Sequence, residues 1–133
     1  MNAKRLRLVS MVLFAACMPI TAFHAGNLAY KSWQVLLIGF LGFGIGNWAG
    51  FGWWSNVLLL GSWFVVGTNR KAAALLLTFC ALALALPFLT MHEFVAGHAG
   101  DMQPLKIDLG YWTWLASLAM AIAAATQIQR QTS

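Results

Sequence analysis

No charged residue occurs between Lys31 and Arg70, and that interval constrains the fold of this chain more than any other feature. A membrane-spanning helix needs about 20 apolar residues. The interval is therefore too long for one crossing and too short for three. Its first part reads SWQVLLIGFLGFGIGNWAGFGWWSN, residues 32–56. That stretch holds Gly39, Gly42, Gly44, Gly46, Gly50 and Gly52 beside Trp33, Trp48, Trp53 and Trp54. Only 8% of the 133 residues are charged and 61% are apolar, whereas a soluble domain carries about 25% charged residues. Such a chain cannot cover itself with a polar surface, so composition predicts a single integral membrane domain.

Three other segments match the length of a span. The first is LVSMVLFAACMPITAFHA, residues 8–25, behind Lys4, Arg5 and Arg7, with Pro19 as an expected kink. An uncleaved helix fits its flanks best. A cleaved signal peptide would put Phe23 where a small residue belongs if the cut followed Ala25, and FAAC resembles a lipobox whose first residue, Phe14, is unusual. Residues 72–91 and 109–128 give two further spans, and Tyr111, Trp112 and Trp114 open the latter as an interfacial anchor. Cys17 and Cys80 sit in different apolar segments and read as small hydrophobes, with no disulfide between them.

Charge then fixes the orientation. With the N-terminus in the cytoplasm, Lys4, Arg5, Arg7, Arg70, Lys71 and Arg130 are inside, and Lys31 and Lys106 are outside. Basic residues favour the cytoplasmic flank, so the net charge of +5 reflects topology and not nucleic-acid binding. One crossing between Lys31 and Arg70 satisfies this, and residues 49–68 supply it. Residues 32–48 are left on the outer side, too apolar to float as a loop. They are expected to lie in the interface, to dip in as a re-entrant hairpin or to pack over the helix ends, with one long tilted helix as the alternative. Residues 92–108 form an outer loop.

Gly42, Gly46 and Gly50 recur every four residues, a spacing that lets helix backbones approach closely, within one chain or between two. Ser117, Ala121 and Ala125 offer a second small face, expected to pack internally. His24, His92 and His98 all fall on the outer side. HEFVAGH places its second histidine at i+6, not at the i+4 of a zinc-binding HExxH helix. A solvated loop is the expectation there, with a three-histidine metal site as the minority alternative. No Asp, Glu, Lys, Arg or His lies in the middle of a span, so the charged relay of a coupled transporter is missing. Small multidrug exporters depend on a carboxylate in their first helix, and this chain has none there. No nucleophile–base–acid constellation points to an enzyme or a cofactor.

The run from SWQVLLIG to KAAALLL, with GYWTWLAS opening the last helix, resembles a pattern in small bacterial inner-membrane proteins of unassigned function. Those combine a Gly/Trp-rich outer segment, an aromatic–aromatic–x–Asn entry into a Leu-rich helix, a basic turn and an Ala/Leu-rich helix. Val57 departs from the pattern, which has proline after the asparagine. The resemblance implies four helices in a bacterial inner membrane and no particular activity.

The expectation is an all-α, polytopic protein with four transmembrane helices, both termini inside, and an apolar segment between the first two. Its expected role is non-enzymatic binding of the bilayer and of another membrane or membrane-acting protein. The most concrete version is immunity against a secreted toxin. A small homo-oligomeric channel or carrier is the alternative. Trp48, Trp53, Trp54 and Asn56 at the outer interface, with Gly42, Gly46 and Gly50, are the expected contact residues.

Overall fold

A computed structural model describes residues 1–42, 49–96 and 101–128, with side chains described over 1–37, 52–92 and 103–128. The described residues are mostly helical, with five α-helices and a small antiparallel sheet among them. Helix α1 runs Ala3–Cys17. Asn2 caps it, its Oδ1 accepting the Arg5 backbone N–H at 3.0 Å. It stops two residues before Pro19, which cannot donate to a continuing helix.

The chain then turns into strands β1 (Thr21–Ala25) and β2 (Leu28–Lys31). Gly26 and Asn27 join them, and Gly26 takes φ +61° as the first position of a two-residue hairpin turn. Helix α2 (Ser32–Gly42) follows without a break. The Ser32 and Trp33 amides close back onto Ile20 O and Met18 O at 3.0 and 3.1 Å.

Helix α3 (Ala49–Gly67) ends in a Schellman turn. Arg70 N–H reaches Val65 O, Asn69 N–H reaches Val66 O, and Asn69 holds the left-handed position at φ 57°. Helix α4 (Lys71–Ala85) tightens into a 3-10 segment, Leu86–Thr90, where Pro87 removes a donor. Strands β3 (Glu93–Ala96) and β4 (Asp101–Ile107) follow, and α5 (Leu109–Thr126) completes the chain. The strands order as β2-β1-β4-β3.

Helices α1, α3, α4 and α5 form a bundle. The start of α1 meets the end of α3, where Arg7 Nη1 donates to Trp63 O. The start of α4 meets the end of α5, where Lys71 Nζ donates to Thr126 O. Thus α1 and α4 leave one end of the bundle and α3 and α5 return to it. Lys4, Arg5, Arg7, Arg70 and Lys71 gather at that end, and the sheet covers the opposite one. Two stretches among the described residues, Lys71–Thr90 and Leu109–Thr126, are long and apolar enough to cross a membrane.

The packing is small-in, large-out. Among the described residues, the side chains under 2% exposed are mostly small, Ser10, Cys17, Ser55, Ser62, Thr78 and Ser117 beside Leu59 and Leu118, while Phe23, Tyr111 and Trp63 are buried at 3%, 6% and 8%. Phe64, Leu76, Leu8 and Val12 are 75%, 66%, 60% and 58% exposed. The buried hydroxyls are satisfied. Ser10 donates to Ser117 O at 2.8 Å, Trp63 Nε1 donates to Ser10 Oγ at 2.8 Å, and Ser55 donates to Ala81 O at 2.7 Å. Ser117, Ala121 and Ala125 are all buried, at the face of α5 that meets α1 and α3.

Several sequence expectations are corrected here. The chain is not all-α. The expected first helix, residues 8–25, is a helix to Cys17 and then a strand, because Pro19 ends the helix where a kink was expected. The expected outer loop, 92–108, contains β3 and β4. The form of residues 32–48, left open by the sequence, is helical as far as Gly42, where α2 ends, and residues 43–48 lie outside those described.

Candidate functional site at the sheet end

Strand β1 is the hinge piece of this end. It pairs with both β2 and β4, so it buries Ala22, Phe23 and Ala25. Tyr30, Val35, Phe88 and Leu105 pack around them. That cluster joins both hairpins, α2 and the end of α4. From it an aromatic chain descends into the bundle. Phe23 stacks on Tyr30 at 5.0 Å and meets Phe88 at 5.2 Å; Phe88 meets Tyr111 at 5.3 Å, and Tyr111 meets Trp114 at 5.5 Å. The Tyr111 hydroxyl donates to Ala85 O at 2.7 Å, which answers the polar tip of a buried ring.

The expected contact residues divide sharply. Asn56 faces inward, its Oδ1 accepting Trp114 Nε1–H at 2.9 Å. It joins α3 to α5. Trp53 Nε1 donates to Leu36 O at 2.6 Å and so fastens α2 to α3. Trp54 sits edge-on to Trp53 at 5.6 Å and is 41% exposed. Gly42 closes α2 and Gly50 lies in the first turn of α3, so these two belong to different helices. Gly46 and Trp48 lie outside the described residues, as does His98.

His24 on β1 pairs through Nδ1 with Asp108 Oδ2. Asp108 is the N-cap residue of α5 and makes no side-chain cap bond there. Its carboxylate instead ties the first hairpin to the last helix. His92 is exposed, and its backbone carbonyl accepts Leu105 N–H at 2.9 Å. Among the described residues, no group of three or more His, Cys, Asp or Glu side chains could hold a metal ion.

This end also carries exposed apolar and aromatic side chains. Trp33 and Leu37 on α2, Trp54 on α3 and Trp112 on α5 are all exposed. Two contributors escaped sequence reasoning. The His24–Asp108 pair joins residues 84 positions apart, and only knowledge of the β1–β4 pairing predicts it. Trp33 and Leu37 are four apart on one helix, a spacing that was legible once residues 32–42 are read as regular helix. No protein-family model matches this chain, and no curated protein and no solved structure matches it.

Proposed function

We propose that this chain is a multi-pass integral protein of a bacterial inner membrane, with both termini in the cytoplasm, and that it acts by binding another protein at its sheet end. The small-in, large-out packing carries this reading. Soluble cores bury their large apolar side chains; helices packed in lipid approach through Ser, Ala and Gly and turn leucine and phenylalanine outward. Only 22% of the Lys71–Thr90 window is buried, which suits a helix surrounded by lipid better than a core helix in water. Five basic residues at one end and Trp33, Trp54 and Trp112 at the other match the two flanks of a bilayer.

The binding part of the proposal stands on Trp33, Leu37 and Trp54, which place exposed tryptophan beside a leucine on the outer face. Tryptophan supplies binding energy at contacts more often than other residues. Protection of the membrane from a secreted, membrane-acting toxin is the most concrete form, since such a protein needs a docking surface and no catalytic group. The homo-oligomeric channel or carrier has less support. Gly52 and Gly61 of α3, which are not part of the Gly42, Gly46 and Gly50 series, face Leu84 O and Leu77 Cδ1 of the same chain, at 3.5 and 3.7 Å from an added Cβ, so α3 makes its close approaches at these two positions within the chain.

A photo-crosslinking residue at position 54, in the native host, tests the binding reading. A single defined protein adduct, weakened at least several-fold by Trp33→Ala and Leu37→Ala at unchanged membrane levels, is the expected result. Lipid adducts alone would make the tryptophans anchors and overturn it. Killing of cells that lack this protein by a neighbouring toxin, with rescue by the wild type and not by Trp54→Ala, would establish the immunity form.

A further inference from the structure

The end of the bundle opposite the sheet is a cationic ring around an apolar plug. Leu6, Val66, Ala74, Ala124, Ala125 and Ile128 pack together there, drawing in the first turns of α1 and α4 and the last turns of α3 and α5. Lys4, Arg5, Arg7, Arg70 and Lys71 stand around this plug. Two of them are engaged by the protein itself. Arg7 donates to Trp63 O at 3.3 Å, one turn before the end of α3, and Lys71 to Thr126 O at 2.9 Å, at the last residue of α5. Lys4, Arg5 and Arg70 are exposed. All three acidic residues of the chain belong to the other end: Glu93 in β3, Asp101 in β4 and Asp108 at the start of α5.

Below Lys4 and Arg5, the outer face of α1 continues as one apolar stripe. Leu8 lies four residues from Lys4 and three from Arg5, and Met11 and Val12 continue the same face. Leu8, Met11 and Val12 are 60%, 39% and 58% exposed. The opposite face, with Leu6, Ser10 and Cys17, is buried. Charge above and a hydrocarbon track below, on one uninterrupted helix face, is the shape of a phospholipid.

We infer that α1 binds anionic phospholipid. Lys4 and Arg5 hold the headgroup phosphate, and Leu8, Met11 and Val12 lie along an acyl chain. The chemistry is charge-assisted hydrogen bonding, with a guanidinium fork and an ammonium sharing one phosphodiester. This inference rests on the membrane reading above and adds to it the class of lipid.

The test is native mass spectrometry of the full chain, purified in a neutral detergent and offered equimolar phosphatidylglycerol and phosphatidylcholine with matched acyl chains. A basic residue at the membrane surface is worth about fivefold in affinity for anionic lipid. Wild type is therefore expected to retain phosphatidylglycerol about 25-fold over phosphatidylcholine. The double variant Lys4→Gln/Arg5→Gln is expected near parity, and Lys106→Gln, at the other end, is expected to match wild type. Equal retention by wild type overturns the inference, and so does full preference in the double variant. Should that variant lose its helical circular dichroism, the salt dependence of wild type decides. The preference fades as ionic strength rises if charge carries it, and a salt-independent preference overturns the proposal. Release of the chain from membranes by alkaline carbonate would instead remove the membrane reading itself, whereas a retained chain without lipid preference removes this inference alone.

Discussion

Replacing Trp63 with alanine is expected to destabilise the protein by about 3–5 kcal/mol, the usual cost of emptying a large aromatic site in a packed interior. Trp63 is 8% exposed and packs with Leu59, Ala81, Leu118 and Ala121, with Phe14 edge-on at 5.4 Å. Its indole N–H donates to Ser10 Oγ, and Ser10 donates in turn to Ser117 O. One side chain therefore joins α3 to α1, and Ser10 carries the link to α5. Trp63→Phe keeps most of the volume and leaves Ser10 its bond to Ser117, so it is expected to lose about 1 kcal/mol for the missing hydrogen bond plus a small cavity term. Reversible unfolding of the purified protein in mixed micelles reads both. Equal loss in the two variants would mean that the hydrogen bond, and not the filled volume, holds the three helices together.

Gly110→Val is the second large effect. A Cβ at Gly110 would stand 2.6 Å from Thr21 O, 2.7 Å from Ser32 Oγ and 2.8 Å from the Thr21 carbonyl carbon. Two of these atoms are backbone of β1 and cannot rotate away. The start of α5 must then separate from the sheet, straining the β1–β4 pairing and the His24–Asp108 tie together. Overpacking of this kind costs about 1–3 kcal/mol, and loss of the tie adds to it. Gly61→Ala is the contrast. Its new Cβ meets only Leu77 Cδ1, at an ordinary 3.7 Å, while alanine favours helix over glycine by about 1 kcal/mol. Gly61→Ala is expected to leave the unfolding midpoint unchanged or raised, and Gly110→Val to lower it by several degrees. Equal midpoints for the two variants would remove the close junction between α5 and β1 as a determinant of the fold.

The last three bundle helices were legible because each is a local pattern: an uncharged run bounded by charge or by Tyr/Trp. The expected spans at 49–68, 72–91 and 109–128 fall on α3, on α4 with its 3-10 extension, and on α5. The strands were not legible because their cause is not local. TAFHA is short, apolar and continuous with the first helix in composition. It becomes a strand because Ile107, Lys106 and Leu105, some 80 positions on, pair with it. The clue beside it was Pro19 followed by Gly26-Asn27, a helix stop and then a hairpin turn. The candidate site divided for a similar reason. Sequence marks the neighbouring tryptophans as interfacial types, but the inward turn of Asn56 depends on where Trp114 of another helix stands.

Cys80 reports whether the outer surface of this bundle faces lipid. It sits midway along α4 and is exposed on the folded chain, while Cys17 is buried. No packing protects Cys80, so only lipid can. With Cys17→Ser leaving one thiol, the membrane account predicts no labelling of Cys80 by a water-soluble maleimide in intact or permeabilised membranes. It predicts full labelling after denaturation in SDS. Labelling of the folded, membrane-associated protein at the rate of a solvated thiol would place α4 in water and contradict the account.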